Sequence, residues 1–188
     1  YTQGDVHFKR EIFISHPDQV MVIRLSADKQ QQMSFTCRMT RPEYFSTHTE
    51  DGQLIMSGAL SDGKGGDGLQ YLKAVTKGGE VICTDSTLTV SGADEAMLLL
   101  AASTDYQLTY PHYKGRDYLS LTRESIAKAE KKTFESLYQA HQKEYAAYFD
   151  RASFQLTESP DTLATDVLVT EAKAGKINPH LYELMFQY

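Results

Sequence analysis

The sequence predicts an antiparallel β-sandwich followed by helices, and three observations carry that prediction. Between Val6 and Thr104, seven or eight short apolar or alternating segments follow one another at roughly ten-residue spacing, between turns that contain Gly, Asp or Pro. No helical period interrupts them, which disfavours a parallel sheet wound with crossover helices. Near Tyr106 the pattern changes, and from Tyr118 to Ser159 the chain has neither Gly nor Pro and is rich in Ala, Glu, Lys, Leu and Gln. The class is mainly β plus α.

The stretch from Val6 to Ala27 reads as two strands joined by the turn Ser15-His16-Pro17-Asp18. Pro17 fixes φ and Asp18 bonds its local backbone, so the turn is well specified. Val6, Phe8, Ile12 and Ile14 share one face at period two and are expected to face a core. Val20 to Leu25 is apolar on both faces except at Arg24, the pattern of a central strand. Met33, Phe35, Cys37 and Met39 then alternate with polar residues as a half-buried strand. Arg41-Pro42-Glu43 ends it, and a polar connection through Thr47, His48 and Asp51-Gly52 leads to a short strand from Gln53 to Ser57. The glycine-rich stretch Ser61 to Gly68 reads as a loop. Its spacing matches neither GxxxxGK[ST] nor GxGxxG, and no helix-forming segment follows it.

Leu69 to Thr76 alternates, Lys77-Gly78-Gly79-Glu80 makes a hairpin turn into Val81 to Thr84, and Leu88 to Val90 is another short strand. Ser91-Gly92-Ala93-Asp94 turns the chain into Ala96 to Thr104, a run too continuously apolar for an exposed strand, which belongs between two layers. In the helical part Phe134, Leu137, Tyr138, His141, Tyr145, Tyr148, Phe149 and Ala152 recur on one helical face. A helix start at Ser120 or Thr122 and a break near Lys131 to Thr133 are expected. Phe154 and Leu156 alternate as one more short strand. Thr165-Asp166 caps a short helix closed by Gly175, and Asn178-Pro179 opens the last helix.

A net charge of −6 and a pI near 5.5 exclude a phosphate-backbone partner, which needs a basic stripe. No apolar run approaches the roughly 20 residues of a membrane span. Cys37 and Cys83 show no metal-ligand spacing and read as small buried side chains, with a disulfide left open. No metal or other cofactor is expected. His16 on a tight turn has no nucleophile paired with it. His141 lies in the aromatic stripe without an HExxH spacing and reads as a packing residue. The densest aromatic loop is Gln107 to Asp117. There Tyr110, His112 and Tyr113 are the candidate carbohydrate contacts, although packing between strands and helices is the commoner role for such a loop.

Four phrases carry a family resemblance: REIFISHPDQVMVIRLSADK from Arg10 to Lys29, MSFTCRMTRPE from Met33 to Glu43, LTVSGADEAMLLLAAST from Leu88 to Thr104, and TFESLYQAHQKEYAAYFDRASFQL from Thr133 to Leu156. Together with the terminal LYELMFQY, they make nearly the whole chain resemble the N-terminal region of glycoside hydrolase family 95, the α-L-fucosidases. Leu163-Ala164-Thr165-Asp166 departs from the family's usual Leu-Pro-Thr-Asp.

The resemblance implies an internal slice of a larger enzyme: part of a β-super-sandwich over residues 1–106, linker helices with one short strand over 107–177, and the start of an (α/α)₆ barrel over 178–188. It also implies inverting hydrolysis of α-linked L-fucose by a glutamate acid and a water activated through asparagine and aspartate. All of these would lie in the barrel beyond Tyr188, so no catalytic residue is carried onto this chain and the slice itself is expected to be inactive. The partners implied are the glycan substrate of the parent enzyme and the barrel itself, in a periplasmic or extracellular setting. The rival readings are a free-standing carbohydrate-binding module and a structural β-sandwich module.

Overall fold

The computed structural model describes residues 1–59, 66–158 and 162–188, and the chain divides into two compact units, Tyr1–Gln142 and Lys143–Tyr188. The glycine-rich stretch from 61 to 68, read as a loop, falls largely outside the described residues.

Among the described residues the first unit has ten strands: β1 (Thr2–Gln3), β2 (Val6–Ser15), β3 (Val20–Ala27), β4 (Met33–Cys37), β5 (Phe45–Glu50), β6 (Gln53–Ala59), β7 (Asp67–Lys77), β8 (Glu80–Thr84), β9 (Thr87–Ala93) and β10 (Glu95–Thr104). They form a seven-stranded sheet in the order β1-β2-β3-β10-β7-β6-β5 and a three-stranded sheet in the order β4-β9-β8. Every pairing is antiparallel. The expected sandwich of antiparallel strands is therefore present.

The alternation of side chains along β10 divides the interior in two. Met97, Leu99 and Ala101 join Val20, Val22, Ile55 and Tyr71 in one core, while Ala96 and Leu98 join Leu54, Leu72, Leu88 and Val90 in the other. The second core lies between the two sheets. The first is closed by helices α1 (Tyr118–Ala129) and α2 (Phe134–Phe149), which contribute Ile126, Ala129, Phe134 and Leu137. The sequence placed Ala96 to Thr104 between two layers, and those layers are a sheet on one side and helices on the other. The apolar helical face thus finds its first partner within the chain.

Arg24, the one charge in β3, is accounted for by its surroundings. Its guanidinium lies over the Phe134 ring at 4.6 Å and donates to Glu95 at 2.6 Å, with Glu11 and Glu135 nearby. The Glu95 hydrogen bond, ahead of the neighbouring charges, raises its pKa further and keeps it charged.

Several expectations are corrected. Of the four residues expected to face a core, Val6 is buried and Phe8 packs against the core between the sheets, whereas Ile12 and Ile14 are each 63% exposed; the opposite face of β2 enters the helix-side core through Phe13. Period two shows which residues share a face but not how far along the strand that face is covered. The polar connection through Thr47 and His48 is a strand, β5, paired with β6 through a hairpin in which Asp51 and Gly52 take positive φ. Residues 153–156 form no strand. The first helix starts earlier than expected: Asp117 is its N-cap, and the carboxylate accepts from the Ser120 N–H at 3.1 Å. The break before Phe134 is present.

Cys37 and Cys83 are free and half-buried. Each is the register partner of Leu88, from opposite sides, so they stand two strand spacings apart, about 9.6 Å. That exceeds the reach of a disulfide.

In the second unit, α3 (Thr165–Lys173) ends with Gly175 at φ 87°, and α4 (Pro179–Gln187) is capped by Asn178, whose Oδ1 accepts from the His180 N–H at 3.0 Å. Both boundaries were legible. Glu183 organises this unit: it is 6% exposed, accepts from the N–H groups of Leu156 and Thr157 and from the Thr157 hydroxyl, and lies 2.9 Å from Nδ1 of His180. These contacts hold residues 156–157 without a strand partner.

Candidate functional site

The aromatic loop that follows β10 is fixed at its base by Asp105. The Asp105 carbonyl accepts from the N–H groups of Gly115 and Arg116 at 3.0 and 3.1 Å, and its Oδ1 accepts from the Asp67 N–H at 3.0 Å. Asp105 is buried, and Lys114 lies 3.6 Å from its Oδ2. Tyr106 and Lys114 form an antiparallel bridge, and the Tyr113 N–H donates to the Thr109 carbonyl at 2.9 Å. The backbone is thereby ordered by its own hydrogen bonds, which leaves the side chains free to point outward.

Tyr110, His112 and Tyr113 are brought together on this loop, and all three are exposed, Tyr110 to 83%. The Tyr110 and Tyr113 rings meet edge to face at 6.4 Å. None of the three is buried between strands and helices, the commoner placement considered for such a loop. The residue that sequence reasoning missed is Asp105, which anchors the loop; its only signal was an acidic residue closing an apolar strand. Behind it, the Tyr118 hydroxyl has its pKa raised by burial and by the charges of Asp67 and Asp105.

Next to the loop, at the ends of β6, β7 and β10, lies a pocket of about 530 Å³. Tyr106 and Arg116 belong to both the loop and the pocket, and Arg41, Gln70, Gly58 and Gly68 also line it. Among the described residues no helix is long and apolar enough to cross a membrane.

Comparison with known proteins gives a consistent picture. Residues 1–109 match the glycosyl hydrolase family 65 N-terminal domain, and residues 133–188 match the glycosyl hydrolase family 95 catalytic domain. Along its whole length the chain is 28% identical to "Alpha-L-fucosidase 2" of Arabidopsis thaliana and 24% identical to "Probable alpha-fucosidase A" of Aspergillus niger. It spans 26% and 25% of those proteins, about a quarter of each. A solved chain described as a kojibiose phosphorylase from human microbiome shares the fold over 79% of this chain and 22% of its own, with a TM-score of 0.51 at 10% identity. The chain belongs to the glycosyl hydrolases, as a family 65 N-terminal domain joined to a segment that matches the family 95 catalytic domain.

Proposed function

We propose that this chain is the non-catalytic N-terminal and linker portion of a glycoside hydrolase acting on α-L-fucosides, and that its physical role is to support the catalytic barrel. The observation that carries this reading is the succession of the two family matches on one chain that aligns end to end with two proteins named as fucosidases. The sandwich comprises residues 1–106, the linker 107–177 and the barrel's beginning 178–188. The exposed aromatic residues at the C-terminal half of α2, Tyr145, Tyr148 and Phe149, are the side chains offered to the barrel. Hydrolysis proceeds with inversion, on groups outside this chain, in a periplasmic or extracellular enzyme. Tyr110, His112 and Tyr113 contact glycan, since exposed rings on an ordered loop offer stacking faces at little entropic cost.

The test is to incubate the longer protein that contains this chain with a glycan ending in 1,2-linked α-L-fucose and follow the released sugar by proton NMR. The β-anomer of fucose is expected first, and the 188-residue chain alone is expected to release none. First appearance of the α-anomer would remove the inverting mechanism, and no fucose release at all would remove the substrate assignment. The exposure of Tyr110 favours one second reading, a free-standing carbohydrate-binding module. Glycan binding by a protein that ends near Tyr188 would support it.

A further inference from the structure

The pocket beside the aromatic loop has an unusual floor. Gly58 and Gly68 are register partners on β6 and β7, so two side chains are missing at one point of the sheet. The cause at Gly58 is steric: a Cβ there would lie 2.3 Å from the Tyr44 carbonyl oxygen and 3.1 Å from Nη1 of Arg41. Gly68 is different. A Cβ there would meet nothing closer than 3.8 Å, so the fold does not require glycine at this position. The bare backbone gives the pocket its depth.

The charges around that floor are unequal. Arg41 donates to the Ala59 carbonyl at 3.3 Å and keeps further N–H groups. The guanidinium of Arg116 has no hydrogen-bond or ion-pair partner among the described residues. Among the described residues the one carboxylate lining the pocket, Asp105, is buried and already engaged with the Asp67 amide and Lys114. Two guanidinium groups therefore face a pocket in which the one acid among the described residues is already engaged, and planar guanidinium forks match carboxylate and sulfate oxygens. Around them the Gln70 amide offers a donor and an acceptor, and the Tyr106 ring, 54% exposed, offers a stacking face. The volume of about 530 Å³ is in the range of small-ligand sites and exceeds what a bare inorganic anion fills.

We infer that this pocket binds an acidic sugar unit of a glycan, one bearing a carboxylate or a sulfate, with Arg116 and Arg41 on the charged group and Tyr106 against the ring. The inference rests on the reading that the parent protein handles glycans. The carboxylate and sulfate cases share one recognition chemistry, which the probes below separate.

The experiment titrates the 188-residue chain with glucuronic acid, galactose 6-sulfate, neutral 2′-fucosyllactose and inorganic sulfate, followed by calorimetry and amide NMR. At least one acidic sugar is expected to bind about tenfold more tightly than the neutral sugar and than inorganic sulfate, with shifts at Gly68, Gln70 and Arg116. Arg116→Gln and, independently, Gly68→Ala are each expected to weaken it about tenfold while the thermal midpoint stays within a few degrees. Equal binding of the neutral sugar, equal binding of inorganic sulfate, indifference to both variants, or no binding at all would each overturn the inference. Fucose release by the longer protein is measured in parallel. Release without acidic-sugar binding removes this pocket's role and leaves the enzyme reading standing; binding without release does the reverse.

Discussion

Phe13 of β2 and His141 of α2 lie face to face, with ring centroids 5.0 Å apart and planes inclined by 24°. Phe13 also meets Phe134 and Tyr138 edge to face at 5.7 and 5.5 Å. One half-buried ring thus touches three side chains on successive turns of the helix. Phe13→Ala is expected to cost about 2–4 kcal/mol in a denaturant titration, somewhat less than a fully buried aromatic. A cost near zero would show that the helix does not depend on this contact.

The stripe on α2 is not uniform, and its two ends respond differently to truncation. Leu137 is fully buried, whereas Phe149 is 37% exposed. Full burial of Phe149 would make its truncation cost about 3–5 kcal/mol; with the observed exposure, Phe149→Ala in this chain is expected to cost about 1 kcal/mol. Leu137→Ala is expected to cost about 2–5 kcal/mol. Parallel chemical unfolding of the two variants checks the ranking.

The hairpin between β2 and β3 is tied to the connection between the helices by Asp18. Its Oδ2 accepts from the Ser15 hydroxyl at 2.6 Å, and its Oδ1 lies 2.5 Å from Nζ of Lys132. The Asp18 side chain is 5% exposed, so removing it leaves the O–H of the fully buried Ser15 without its acceptor, while the Ser15 Oγ still accepts from the N–H of residue 18. Asp18→Ala is expected to lower stability by about 1.5–3 kcal/mol, and Lys132→Met by less, because Lys132 remains partly solvated. Thermal melts of both variants distinguish the two.

Glu183 supplies a pH dependence. The His180 hydrogen bond first, and then the Leu156 and Thr157 amides, lower its pKa from 4.5 to about 2. A carboxylate whose pKa is depressed on folding stabilises the folded state above its unfolded pKa and ceases to do so as pH falls through the folded one. Order in residues 156–157 is therefore expected to persist at pH 5 and to be lost progressively between about pH 4.5 and 2. Amide exchange at Leu156 and Thr157 reads this directly, and Glu183→Gln should remove the titration.

Burial raises the thiol pKa of both Cys37 and Cys83, and Lys73 partly opposes the effect at Cys83. A raised pKa means less thiolate near neutrality. Both are expected to react with a thiol reagent more slowly in the folded chain than in denaturant, and Cys37 more slowly than Cys83. Equal rates in both states would contradict their half-buried placement.

Much of this molecule was legible in its residues. Pro17-Asp18, Gly78-Gly79 and Asn178-Pro179 each specify a local conformation chemically, and the structure has a turn, a hairpin and a helix start there. The apolar run of β10 announced its central place because no surface strand can bury both faces. What was not legible depended on partners distant in sequence. β5 is polar along most of its length and is a strand because β6 lies beside it. Residues 153–156 alternate like a strand but pair with no strand among the described residues, and Glu183 holds Leu156 and Thr157 instead. For the aromatic loop, composition supplied the rings of Tyr110, His112 and Tyr113, while their outward presentation depends on the Asp105 anchor.

The two cores that meet across β10 have a consequence for how this sheet tolerates error. Each residue of that segment is committed to one interior or the other by parity alone, Leu98 to the space between the sheets and Leu99 to the space beneath the helices. Sliding the strand by a single position would exchange the contents of both compartments at once, and the flanking strands β3 and β7 would have to agree on the same misalignment. An inserted or deleted residue between Ala96 and Ala101 therefore has no local remedy, whereas the same change in β5, at the margin, disturbs one neighbour.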